Sequence, residues 1–126
     1  MDIKKYNNII FDFDGVVADS NHIKEKNIEK AAKNYCDGGV LKEFITYFIQ
    51  NNGVPREYKI NKYFSDGDIA KKVLADYNYL NSQTIMVAEL TRGFLEFLRK
   101  ISCHSVKKYV VSGGDQMEVR LFLSSK

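Results

Sequence analysis

The sequence has one proline, two cysteines and no apolar run of any length, and each scarcity excludes something. A membrane-crossing helix needs roughly 20 consecutive apolar residues. No stretch approaches that, so no membrane span is expected. Met1-Asp2-Ile3-Lys4-Lys5-Tyr6 lacks the apolar segment and small-residue cleavage site of a secretory leader, which points to a cytoplasmic protein. Cys36 and Cys103 lie far apart and outside any Cys-x-x-Cys or Cys/His ligand spacing. They read as two reduced thiols. No repeat or low-complexity segment is present. Nor is there a concentrated basic stripe: 19 Lys and Arg against 16 Asp and Glu give a net charge of only +3. The two signs interleave, as in Lys24-Glu25-Lys26 and Glu29-Lys30, so these charges are expected on solvated helix faces and nucleic acid is not an expected partner.

What is present is ordinary globular composition, 44% apolar and 28% charged over 126 residues. That suits one compact domain, or a small core with one insertion. Asn8-Ile9-Ile10-Phe11 is a short apolar run that ends in Asp12-Phe13-Asp14-Gly15. Its length predicts a strand buried on both faces, as in a parallel sheet covered by helices. Tyr109-Val110-Val111 is a second such run and ends in Ser112-Gly113-Gly114-Asp115.

Between the two runs the apolar spacing turns helical. Ile28, Ala31, Ala32 and Tyr35 mark one helix, with Gly38-Gly39 placed to stop it. Leu41, Phe44, Ile45 and Phe48 mark the next, stopped by Asn51-Asn52-Gly53. Pro55 suits the first turn of a third, and Ser65 or Asp66 caps a fourth. Further helix runs on towards Glu89, with a break near Asn81-Ser82. Leu90 to Ile101 forms one more, which provides the crossover that parallel strands require. Asp115 is placed to cap a final helix through Phe122. The expected fold is α/β, with two parallel strands delivering polar residues at their C-terminal ends, where open α/β sheets bind ligands.

Those polar residues carry the chemistry. Asp12 and Asp14 point the same way in an extended chain and repel each other, and a bound divalent cation relieves that repulsion. Gly15 permits a turn that brings backbone N–H groups near a ligand. Ser112 offers a hydroxyl, and Gly113-Gly114 lets backbone amides approach an anion. On spacing alone Asp-x-Asp-Gly also fits an ordinary turn. A calcium loop would need further oxygen ligands and a later Glu, where this sequence has Ala18 and Ser20.

Ile9 through Ser20 closely resembles the first motif of the haloacid dehalogenase superfamily, trailing Asp19-Ser20 included, and Tyr109 through Gly114 is similar to the second. The long helical stretch between them resembles the cap inserted after the first strand in β-phosphoglucomutase-like and phosphoglycolate phosphatase-like members. The resemblance implies a partial Rossmann-like core from residues 1–18 and 88–126 and a helical cap from 19–87. It implies Asp12 as the nucleophile that forms an aspartyl-phosphate, and Asp14 as the acid that protonates the leaving alkoxide and then activates water. Mg²⁺ would be held by Asp12 and Asp14, and phosphoryl oxygens by Ser112 with the Phe13, Gly15 and Gly113 backbone. In the cap, Asn52 through Lys59 resembles a substrate-contacting loop, with Arg56 facing a second anionic group and Lys59 beside it. His22 would line the mouth of the site.

The expected activity is a Mg²⁺-dependent phosphatase of a small phosphorylated metabolite. A sugar-phosphate mutase and a non-catalytic phosphate- or partner-binding remnant are the alternatives. The family's later lysine and acidic motifs have no counterpart after Ser112, so the chain is expected to be an incomplete, weakly active or inactive portion, or else to cover its exposed sheet edge by homodimerising.

Overall fold

A computed structural model describes residues 2–126. Strand β1 (Asn8–Asp12) pairs in parallel with β4 (Lys107–Val111), placing Ile10 opposite Tyr109 and Asp12 opposite Val111. A second, two-residue ribbon joins β2 (Ala18–Asp19) to β3 (Glu89–Leu90) in antiparallel register. It marks where the chain leaves the α/β part and where it returns. Between its strands lie α1 (Asn21–Ala32), α2 (Gly38–Gln50), α3 (Arg56–Tyr63) and α4 (Gly67–Thr84). After it come α5 (Phe94–Ile101) and, beyond β4, α6 (Gln116–Ser125). None of the described helices is long and apolar enough to cross a membrane.

The apolar side chains gather into two clusters. One joins Ile28, Ala31 and Ala32 of α1 to Phe44 and Phe48 of α2, Ile60 of α3, and Val73 and Tyr77 of α4. The helical spacing of these residues puts each set on a single stripe, which burial then pins against the next helix. Phe44 sits among the rings of Tyr63 and Phe64, each with its centroid 5.0 Å away. The other cluster packs Phe11, Phe13 and Val17 against Ile85, Ile101 and Phe122. Phe11 meets Phe94 edge-on at 5.3 Å, an arrangement that aromatic quadrupoles favour.

Four local expectations need correction. Gly38-Gly39 does not stop α1, which ends in a turn at residues 33–35; the glycines open α2. Gly38 has φ +54°, the left-handed region glycine enters without strain, and there it redirects the chain after Asp37. Helix α4 runs unbroken through Asn81-Ser82, because Asn81 is a buried tie: its Oδ1 accepts from Asn27 Nδ2 at 2.9 Å. Leu90 belongs to β3, and α5 starts only at Phe94. The sheet is not buried on both faces: Phe11 is covered, yet Ile10, Tyr109 and Val111 on the opposite face are 67%, 48% and 56% exposed. No described element packs over them, so the β-branched and aromatic run shows its strand propensity without its second cover.

Candidate active site

Parallel pairing brings the C-terminal ends of β1 and β4 to one edge, so Asp12 and the Ser112-Gly113-Gly114 loop meet there. Alternation along the extended chain sorts the side chains at that edge. Phe13 is fully buried and packs edge-on against Phe122 at 5.4 Å, which leaves Asp12 and Asp14 turned the other way. Both line a cleft of about 280 Å³ between the α/β part and the helices, together with Lys24, Arg56, Lys59 and Gly113-Gly114.

The Asp12 carboxylate is exposed, and its Oδ1 accepts from the Phe13 N–H at 2.8 Å. Gly15, expected to present its N–H to a ligand, instead donates it to the Ala18 carbonyl at 2.8 Å. Its φ of +79° closes the tight turn after Asp14, so it shapes the site and its amide is already committed. The Ser112 hydroxyl accepts from the Gly114 N–H at 3.0 Å, bracing the loop from within. Gly113 lies on the cleft wall. His22 is exposed on the first turn of α1, outside the residues that line the cleft.

Asp14 has the most elaborate surroundings. Ser20 Oγ donates to its Oδ1, and Lys24 Nζ lies 2.7 Å from Oδ1 and 2.8 Å from Oδ2. Lys24 is therefore no solvated helix charge; it is buried, and its ammonium reaches Glu118 Oε2 as well, at 3.1 Å. Glu118, on α6, is 1% exposed and receives Arg56 from the other side: Nη1 to Oε1 at 2.6 Å and Nη2 to Oε2 at 3.2 Å. Nη1 donates also to Asn78 Oδ1 at 2.9 Å, and the guanidinium carbon lies 4.8 Å from the centroid of the Tyr77 ring. Burial opposes the Arg56 charge, but the Glu118 bonds more than restore it and its pKa is raised. Burial pushes the Tyr77 phenol up to about 12, so it is a neutral wall of the cleft. Asp14, Lys24, Glu118 and Arg56 thus form a row of alternating charge that ties α1 and α3 to α6 and to the turn after β1.

The sequence singles out Asp12, Asp14, Arg56 and Lys59, all of which line the cleft, but not Lys24 or Glu118. Lys24 sits in a charged run that looks solvated. Glu118 left a readable signal: Leu121 and Phe122 follow it at i+3 and i+4, so an acid stands on the apolar stripe of its helix.

Gly114 is held to glycine by this row. A Cβ there would stand 2.5 Å from Arg56 Nη2, and that nitrogen cannot swing aside without leaving Glu118. Gly114→Ala is expected to destabilise the fold by about 1–3 kcal/mol, as overpacking does. A urea midpoint unchanged from the parent would show that Arg56 is not fixed there.

Lys59 is buried, with Nζ donating to the Phe48 carbonyl at 2.9 Å and lying 3.7 Å from the centroid of that residue's ring. Burial, and then the Arg56 charge, lower its pKa to about 8. An unfolded lysine keeps its proton to about 10.4, so between these values the unfolded chain binds more protons. Lys59's contribution to stability should therefore rise with pH from about 8 upwards. A ¹³C NMR titration of labelled lysine should show one Cε signal with its midpoint near pH 8; its loss in Lys59→Met assigns it.

Two carboxylates would make a sparse metal site. Among the described residues no group of three His, Cys, Asp or Glu side chains gathers around a common point. Mg²⁺ accepts such sites, since it commonly binds one or two carboxylates and completes its shell with water and phosphate oxygens. The hard-oxygen donors here fit it. Because Lys24 and Ser20 already occupy the Asp14 carboxylate, the open acid is Asp12.

Comparison with known proteins agrees with this architecture. The haloacid dehalogenase-like hydrolase family model matches residues 9–126. A predicted phosphoglycolate phosphatase from Haemophilus somnus superposes with a TM-score of 0.77 at 15% identity, over 98% of this chain and 59% of that one. A HAD family hydrolase from Deinococcus radiodurans, solved with bound phosphate and sodium, gives 0.53 at 17% identity, over 97% and 53%. At such identities the likeness is one of fold. The chain spans little more than half the length of these structures. No curated protein matches it.

Proposed function

The chain belongs to the haloacid dehalogenase-like hydrolase family, and from that premise we propose that it is the cap-bearing portion of a Mg²⁺-dependent phosphatase acting on a small phosphorylated metabolite. Residues 19–87 serve as the cap over a core drawn from 1–18 and 88–126. The observation that carries the reading is Asp12: an exposed carboxylate at a strand end, in a cleft, facing a glycine loop.

In the reaction a carboxylate oxygen of Asp12 bonds to phosphorus as the ester P–O bond breaks, and the electron pair leaves on the alkoxide. Asp14 supplies the alkoxide's proton and then takes one from water, which attacks phosphorus and releases inorganic phosphate and free Asp12. To meet the leaving oxygen, Asp14 must give up one of its bonds to Lys24 or Ser20. The Ser112-Gly113-Gly114 loop cradles the phosphoryl oxygens. Mg²⁺, held by the Asp12 carboxylate and the Asp14 backbone carbonyl, would offset the negative charge that gathers there.

The test is a panel of phosphate esters incubated with the chain and Mg²⁺, with ³¹P NMR of the products. Inorganic phosphate is the expected product. An isomeric sugar phosphate would instead identify a mutase. Failure of the cleft to bind inorganic phosphate in the presence of Mg²⁺ would overturn the reading.

A further inference from the structure

An arginine on a cap over a phosphate site invites a second anion on the substrate. Here the invitation is withdrawn by Glu118. The end-on fork of Arg56, the geometry that grips a carboxylate with two parallel bonds, is already closed by Glu118 at 2.6 and 3.2 Å. Its second Nη1 proton goes to Asn78, and its Nη2 edge lies against the Gly114 backbone. Lys24 is engaged in the same way, hydrogen-bonded to Asp14 Oδ2 and ion-paired with Asp14 Oδ1 and Glu118 Oε2. Lys59 is turned into the cap wall, onto the Phe48 carbonyl and ring.

Charge makes the same point. Asp12, Asp14 and Glu25 line the cleft alongside Lys24, Arg56 and Lys59, and Glu118 stands behind them. Acids outnumber bases by one, and the single buried acid is what tips the balance. The rest of the wall around the cap loop is Phe48, Ile49, Val54, Asn52 and Tyr77, apolar or neutral.

We propose that Glu118 sets the specificity of this site by occupying Arg56 and Lys24 from within, so that the substrate is a phosphate monoester whose remaining part bears no anionic group. The proposal rests on the phosphatase reading. It makes Glu118 a residue that acts through Arg56 and never touches substrate. Its carboxylate stands in for the one the ligand lacks.

Two esters that differ by one carboxylate test it: ethyl phosphate and carboxymethyl phosphate, titrated calorimetrically into the full chain with Mg²⁺, alongside inorganic phosphate. The wild-type chain should bind ethyl phosphate at least as tightly as carboxymethyl phosphate. Glu118→Gln, checked for folding by circular dichroism, should shift the ratio at least tenfold towards carboxymethyl phosphate, because the freed guanidinium meets a new partner. A tenfold wild-type preference for the carboxylated ester would overturn the proposal, and decides the matter even if the variant fails to fold. So would an unchanged ratio in a folded variant. In both cases phosphate still binds and the phosphatase reading survives. If neither ester nor inorganic phosphate binds, that reading falls and takes this proposal with it.

Discussion

Glu118→Ala should destabilise the protein by about 3–5 kcal/mol, the usual consequence of removing one partner from a buried ion pair. The effect is large because Glu118 answers two charges at once. Side chains of Lys24 and Arg56 are only 10% and 12% exposed, and both would be left desolvated, one facing Asp14 alone and the other only Asn78 and the Tyr77 ring. Domains of this size are held by roughly 5–15 kcal/mol in total, so much of the margin would go. Urea denaturation followed by tryptophan-free far-ultraviolet circular dichroism measures it. The cause is separable from lost packing. Combining Glu118→Leu with Lys24→Met and Arg56→Leu removes the stranded charges and should recover most of the loss. A triple variant no more stable than Glu118→Ala would mean that stranded charge is not the source of the loss.

Asp12→Asn should have the opposite profile: normal stability and no chemistry. The side chain is exposed, and an asparagine Oδ1 can still accept from the Phe13 N–H, so the change in stability should stay within about 0.5 kcal/mol. Phosphate release by the phosphatase of which this chain is proposed to be a portion, however, should fall at least about a thousandfold, since the neighbouring Asp14 carboxylate is already held by Lys24 and Ser20. Arg56, Lys24 and Lys59 offer no alternative nucleophile, being cations committed to other partners. Initial rates at saturating ester and Mg²⁺ give the number. Turnover surviving in Asp12→Asn would place the reaction elsewhere in the cleft.

How far these expectations reach the sequence unaided depends on the range of the force involved. Strand β1 and its two acids were legible because the apolar run and the Asp-x-Asp spacing lie within a few residues of each other. The caps at Asp66 and Asp115 were legible for the same reason: each carboxylate accepts from an N–H two residues on. Lys24 and Glu118 were not, because their partners come from elsewhere in the fold and a lysine among glutamates looks the same whether it faces water or an acid. The exposed face of β1 and β4 was hidden for the complementary reason. A run of Ile, Val and Tyr states that a strand will form, and leaves open what will lie on it.

The pairing of β1 with β4 also dictates an order of events. Asn8 meets Lys107, so roughly a hundred residues must emerge before the first strand finds its neighbour, a separation that slows closure. The helices from Asn21 to Thr84 depend on no such wait, since the Ile28–Tyr77 cluster draws only on that interval. During synthesis the helical insertion should therefore fold on the ribosome while β1 is still unpaired, and the acids of the first loop should find their place only when α6 leaves the exit tunnel. The cleft between them takes shape only after the helices that wall it have already packed.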